Sequence, residues 1–180
     1  MKEIYTENPK TRWEFVNVDQ KRVLDLGCGR PWALGGEEAW ERLETPEYFL
    51  EMGADFVIGI DDRPEEIEYF KSLFRGTDRE SNVFFEEKQI QRAEDVKDLI
   101  TRFEPDCIKC DIEGKEILLE DLEDYTLSLV SEYYIETHSD FLHQVVKDKL
   151  ESNDFLIREE ILLGHAPQRD NRVIFAFKEH

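Results

Sequence analysis

The chain has 180 residues, 40% of them hydrophobic, which is enough for one packed core in one domain. Its 43 acidic against 23 basic residues give a net charge of −20, which disfavours nucleic acid and anionic membranes as partners because phosphate binding needs clustered cations. No apolar run approaches the roughly 18 residues that cross a bilayer. The polar start Met1-Lys2-Glu3-Ile4-Tyr5 has no signal-peptide core, so the cytoplasm is the expected location.

Residues 1–21 read as an N-terminal extension of a single domain covering 1–180. Val23-Leu24-Asp25-Leu26 is a short apolar run ending at Gly27, the pattern of a buried strand. Residues 37–52 have helical spacing, with Pro46 expected to divide them into two pieces. Phe56–Ile60 is a second strand. A helix over Pro64–Phe74 follows, with Ile67, Phe70, Leu73 and Phe74 on one face and proline at its start.

Val83–Phe85 predicts a third strand. Ala93–Phe103 predicts a helix with Val96, Leu99, Ile100 and Phe103 as its stripe. Cys107–Cys110 and Tyr133–Glu136 are the fourth and fifth strands. Asp140–Glu151 is a helix capped by Ser139 or Asp140. Phe155–Leu163 and Arg172–Phe177 close the chain as two strands joined by a polar loop.

The three cysteines are Cys28, Cys107 and Cys110. Cys107 and Cys110 form a C-x-x-C, but residues three apart on a strand face opposite ways, and no second Cys/His pair lies at ligand spacing. No zinc or disulfide framework is expected from them, and no metal ligands are assigned. The alternation of strands and helices, closed by a hairpin, predicts an α/β fold. Its form is a three-layer Rossmann-like sandwich around a seven-stranded, mainly parallel sheet with a C-terminal antiparallel hairpin. Ligands in such sheets sit beyond the carboxyl ends of the strands, near the switch in strand order.

The residues just after each strand are therefore the informative ones. Asp25-Leu26-Gly27-Cys28-Gly29 follows the first strand. Gly27 and Gly29 allow a tight turn and close approach of backbone to a ligand. Asp61 and Asp62 end the second strand, where a carboxylate can accept both hydroxyls of a ribose. Either could instead cap the helix that opens at Pro64. Asp111, Glu113, Glu136 and His138 fall after the fourth and fifth strands. They supply candidate bases for proton transfer, worth typically about 10²–10⁴-fold in rate. As oxygen and imidazole donors they could alternatively hold a divalent ion. Glu113 could also cap a helix beginning near Gly114. Trp13, Phe15, Trp32 and Trp40 read as packing residues, with Trp32 placed to cover the glycine turn.

Val23–Gly29 resembles the first motif of class I S-adenosylmethionine-dependent methyltransferases, an acid-x-G-x-G pattern, with Pro31 and Trp32 departing from the usual loop. Nicotinamide dehydrogenases instead carry G-x-G-x-x-G. Ile108-Lys109-Cys110-Asp111-Ile112-Glu113-Gly114-Lys115-Glu116 is similar to the K-I-D-V-E-G-x-E signature of FkbM-type methyltransferases, and Tyr134-Ile135-Glu136-Thr137-His138 to that family's fifth-strand end. The resemblance implies S-adenosylmethionine as cofactor. Asp25, Gly27, Cys28, Gly29, Asp61, Asp62 and Asp111 would bind it, with Gln89 and Ile90 at the adenine edge. His138, Glu136 and Glu113 would be catalytic. It further implies O-methylation of a hydroxyl on a small molecule or glycan. Alternatives are an N- or carboxyl-directed methyltransferase and a catalytically silent cofactor-binding or interaction protein on the same scaffold. A homodimer could complete an open cleft.

Overall fold

A computed structural model describes residues 2–4, 16–29, 45–163 and 172–179. Expectations for Trp13, Phe15, Pro31, Trp32, Trp40, the helical stretch 37–44 and the loop 164–171 lie outside the described residues. The strands are β1 (Lys2–Ile4), β2 (Arg22–Leu26), β3 (Phe56–Asp61), β4 (Val83–Glu87), β5 (Cys107–Cys110), β6 (Glu132–Thr137), β7 (Leu156–Leu163) and β8 (Arg172–Phe177). The helices are α1 (Thr45–Glu51), α2 (Pro64–Phe74), α3 (Ala93–Phe103), α4 (Asp124–Ser128) and α5 (Asp140–Ser152).

The strands form one sheet in the order β1-β7-β8-β6-β5-β2-β3-β4. Only β8 runs antiparallel to its neighbours, β6 and β7. The seven expected strands are present. The eighth, β1, comes from the stretch read as an N-terminal extension and pairs in parallel with the outer strand β7. Three residues carry too little periodicity to be recognised; their pairing depends on an edge formed more than 150 residues later.

The sheet divides the core into two sides. Leu24 and Leu26 of β2, Ile58 and Ile60 of β3, and Ile108 and Cys110 of β5 pack with Val96, Leu99 and Ile100 of α3 and Val146 and Leu150 of α5. On the opposite face Val23, Val57 and Cys107 pack with Phe49 of α1, and Phe85 with Ile67, Phe70 and Phe74 of α2. Cys107 and Cys110 thus lie on opposite faces, as their spacing requires. All three cysteines are buried and free.

The helix boundaries have local causes. Pro64 opens α2, where its missing N–H is not needed. Asp95 accepts from the backbone N–H groups of Gln91 and Arg92 at 3.0 Å each, ahead of α3. Ser139 Oγ accepts from Leu142 N–H at 3.2 Å and so is the cap of α5. Pro46, expected to interrupt a helix, stands second in α1 and is part of its first turn. No helix among the described residues is long and apolar enough to cross a membrane.

Candidate active site

The sheet order places β2 between β3 and β5, with the connections leaving in opposite directions, so the switch point lies beyond Leu26 and Cys110. The chain leaves β2 through Gly27, whose φ of +75° suits glycine. A Cβ at Gly27 would lie 1.8 Å from the Asp111 carbonyl oxygen. The glycine is needed because the end of β5 presses on it, not only because a ligand would. Gly27 and Cys28 N–H both donate to Ile60 O, at 2.9 and 3.2 Å. The Cys28 side chain is buried against α2 and β4, so only its backbone borders the turn.

Gly29 N–H donates to Asp61 Oδ2 at 2.7 Å, and Arg63 N–H and Nε donate to Asp61 Oδ1 at 3.0 Å each. Asp61 therefore ties the glycine turn to the start of α2, and a Cβ at Gly29 would strike this knot. Asp62 is exposed and does not cap α2; Gln89 Nε2 donates to it at 3.3 Å. Gln89 and Asp62 thus share the outer end of β3 and β4. Ile90 packs into the core beside Ala93 and Val96, which leaves Gln89 as the exposed member of that pair.

Beneath the turn lies a buried ion pair. Lys109 Nζ is 3.0 Å from Asp25 Oδ1, 2.6 Å from Gly27 O and 4.0 Å from Asp111 Oδ2, with the Lys109 side chain 2% and Asp25 0% exposed. Burial pushes the Asp25 carboxyl up to about 6 against the opposing pull of Lys109. Burial works against charge on Lys109, but Asp25 and Asp111 overcome it and hold its pKa above the ordinary lysine value. The sequence alone assigns Lys109 no role beyond its place in the β5 motif. Its signal there is a lysine inside a four-residue, otherwise apolar strand, since buried lysines are rare without a partner.

At the carboxyl ends of β5 and β6 the structure brings together three of the four candidate carboxylate and imidazole groups. His138 Nε2 lies 3.5 Å from Asp111 Oδ1 and 3.4 Å from Glu113 Oε2. His138 Nδ1 donates to Glu116 Oε1 at 3.0 Å. Glu116 is fully buried, and the same oxygen accepts from Ile112 and Gly114 N–H at 3.2 Å each. Burial opposes a charged ring at His138, but the Glu116 hydrogen bond and the charges of Glu116, Asp111 and Glu136 override it, lifting its pKa to about 9. Glu113 sits in the left-handed region at φ +52° with its side chain 76% exposed, and caps no helix. Glu136 is 2% exposed. It acts on His138 through its charge from a buried position and does not face solvent with Glu113. Glu116, the last residue of the β5 motif, has no role assigned from sequence alone. Its part in the site depends on the chain doubling back after Gly114.

From Asp61 through Gly29, Gly27, Lys109, Asp25 and Asp111 to His138, the polar groups form one continuous edge at the switch point. No protein-family model matches the sequence, and no curated protein matches it. Solved structures do match in three dimensions. Streptococcus pneumoniae Sp1610, in complex with S-adenosyl-L-methionine, superposes with a TM-score of 0.63 at 12% identity, over 98% of this chain and 74% of that one. The Bacillus subtilis m1A22 tRNA methyltransferase TrmK gives 0.60 at 14% identity, over 98% and 67%. The ribosomal protein L11 methylase of Lactobacillus delbrueckii subsp. bulgaricus gives 0.58 at 15%, over 94% and 76%.

The chain has the Rossmann-type methyltransferase fold. Within that fold, its glycine turn and the acid ending β3 occupy the switch-point positions expected from the sequence. The narrower likeness to FkbM-type enzymes rests on the short motifs at β5 and β6.

Proposed function

We propose that this protein is an S-adenosylmethionine-dependent methyltransferase that methylates a hydroxyl of a small molecule or glycan. The observation that carries the reading is the polar edge at the switch point: an acid-x-Gly-x-Gly turn between β2 and β5, tied to the acid that ends β3. Likeness in fold to a protein whose structure holds S-adenosyl-L-methionine supports the choice of cofactor. In this reading Gly27, Gly29, the Cys28 backbone and Asp111 form the wall for the methionine half, while Asp25, expected at the cofactor, lies buried beneath the turn against Lys109 and supports it from below. Asp61 or Asp62 receives the ribose diol, and Gln89 meets the adenine edge.

Methyl transfer from a sulfonium is an in-line displacement, so the protein's task is to hold nucleophile and methyl close and aligned. His138 and Glu113 stand where an acceptor would enter, with Glu136 buried behind them. The carboxylate of Glu113, 76% exposed and 3.4 Å from His138 Nε2, is the group placed to take the hydroxyl's proton.

A net charge of −20 argues against a polyphosphate acceptor. A tRNA methyltransferase among the structural neighbours keeps an RNA acceptor as the second reading. At 14% identity that likeness speaks for the fold, and acceptors are chosen by sites rather than folds.

Calorimetric titration with S-adenosylhomocysteine, with NAD as control, tests the cofactor. Binding of the former alone is expected. Alanine at whichever of Asp61 and Asp62 holds the ribose should weaken it about tenfold to a hundredfold, the loss of one charge-assisted hydrogen bond of about 1.5–3 kcal/mol, and normal binding in both variants would remove the ribose assignment. A chain that binds neither compound is not this enzyme. A loss confined to Asp62→Ala gives the ribose contact to that residue.

A further inference from the structure

We propose that Asp111, Glu113 and His138 form a divalent-cation site at the carboxyl ends of β5 and β6, suited to a first-row ion such as Mn²⁺. One donor atom from each lies within 4.8 Å of the other two, and His138 Nε2 stands 3.5 and 3.4 Å from the two carboxylates. An ion with bonds of about 2.0–2.2 Å sets neighbouring donors about 3.0 Å apart at right angles and about 3.4 Å apart at tetrahedral angles. The two separations from His138 Nε2 are already at that scale.

Two further observations point to a cation. Glu116, fully buried, holds His138 Nδ1 at 3.0 Å and so turns Nε2 toward the carboxylates. This carboxylate-behind-imidazole arrangement fixes the tautomer and ring orientation of metal-bound histidines. Asp111 Oδ1, the atom that faces Nε2, is also shut off from water and makes no hydrogen bond; a cation between the two would satisfy it.

The donor set narrows the ion. Two carboxylates suit hard cations, Mn²⁺ among them, and the imidazole favours a first-row ion over Mg²⁺ or Ca²⁺. Glu113, 76% exposed, leaves one side of the cluster open to water or an acceptor oxygen. The ion's binding is independent of the methyl-transfer reading; its use rests on it. A hydroxyl held by the ion would lose its proton more readily.

The test uses the full chain stripped with chelator and titrated with Mn²⁺, with free ion followed by electron paramagnetic resonance. One saturable site per chain is expected, with nitrogen coupling from an imidazole in the pulsed spectrum. His138→Gln should remove that coupling, and Glu116→Gln should weaken binding about ten- to hundredfold. Glu113→Gln, at an exposed side chain that leaves the fold intact, should weaken it at least about tenfold. Absence of a saturable site, or unchanged affinity in Glu113→Gln with no nitrogen coupling, would overturn the proposal and leave an ion-pair cluster around a charged imidazole. S-adenosylhomocysteine titration of the metal-free chain keeps the two readings apart. Binding there with no Mn²⁺ site sinks the cation alone, and a Mn²⁺ site without that binding sinks the cofactor alone.

Discussion

Replacing Lys109 by Met would remove one partner of a buried ion pair and leave Asp25 in place. The two groups are 3.0 Å apart at 2% and 0% exposure, so water cannot take over the missing charge. Breaking such a pair costs about 3–5 kcal/mol. In a domain of this size each kcal/mol moves the melting temperature by about 2–4 °C, so a fall on the order of 10 °C is expected at pH 7. Part of the cost can be escaped by protonation. The Asp25 carboxyl sits at about 6 even with Lys109 present; without that lysine it rises further, and the residue takes up a proton. The deficit relative to wild type should therefore shrink between pH 7 and pH 5. A remainder of about 1–3 kcal/mol persists because the Gly27 carbonyl has lost its donor. The double variant Asp25→Asn/Lys109→Met should be more stable than Lys109→Met at pH 7. Urea unfolding followed by circular dichroism measures all three. A Lys109→Met protein within about 1 kcal/mol of wild type at pH 7, or one whose deficit is the same at pH 5, would refute the reasoning.

Gly27→Ala should cost stability as well as cofactor affinity. Its φ of +75° places the new side chain in a strained region worth about 1–3 kcal/mol, and the Cβ would overlap the Asp111 carbonyl. Thermal melts beside S-adenosylhomocysteine titration check this, and a variant normal in both would rule the turn out of the cofactor site. His138 sets a pH dependence in the metal-free protein. Its pKa is raised from 6.5 to about 9 in the folded state. The resulting stability, about 2 kcal/mol after allowance for solvent screening of a partly exposed ring, is fully present below pH 6.5 and lost as pH rises through 9. Urea midpoints at pH 6 and pH 9.5 should diverge more for wild type than for His138→Gln, and parallel shifts would contradict the assignment.

Much of the fold is legible in the sequence because each main element carries its own local cause. The stripes of α2 and α3, the proline that opens α2 and the apolar runs of β2, β3 and β5 need no distant partner to be recognised. The same holds for the positions at which polar residues end strands, which is why Asp61, Asp111 and His138 stand out from the order of residues alone. What the sequence could not determine depends on residues far apart meeting. Strand β1 exists through an edge supplied by β7. Gly27 is constrained by Asp111, 84 positions later, whose carbonyl fills the space a side chain would need. Lys109 acquires a role only when β5 lies beside β2 and sets its amine against Asp25. Glu116 acquires one only when the chain doubles back to place a buried carboxylate behind His138. Hydrophobic period and turn chemistry are local and additive along the chain. Charge pairing, the pKa values it shifts and the geometry of donor atoms are pairwise in space, and only the tertiary structure decides them.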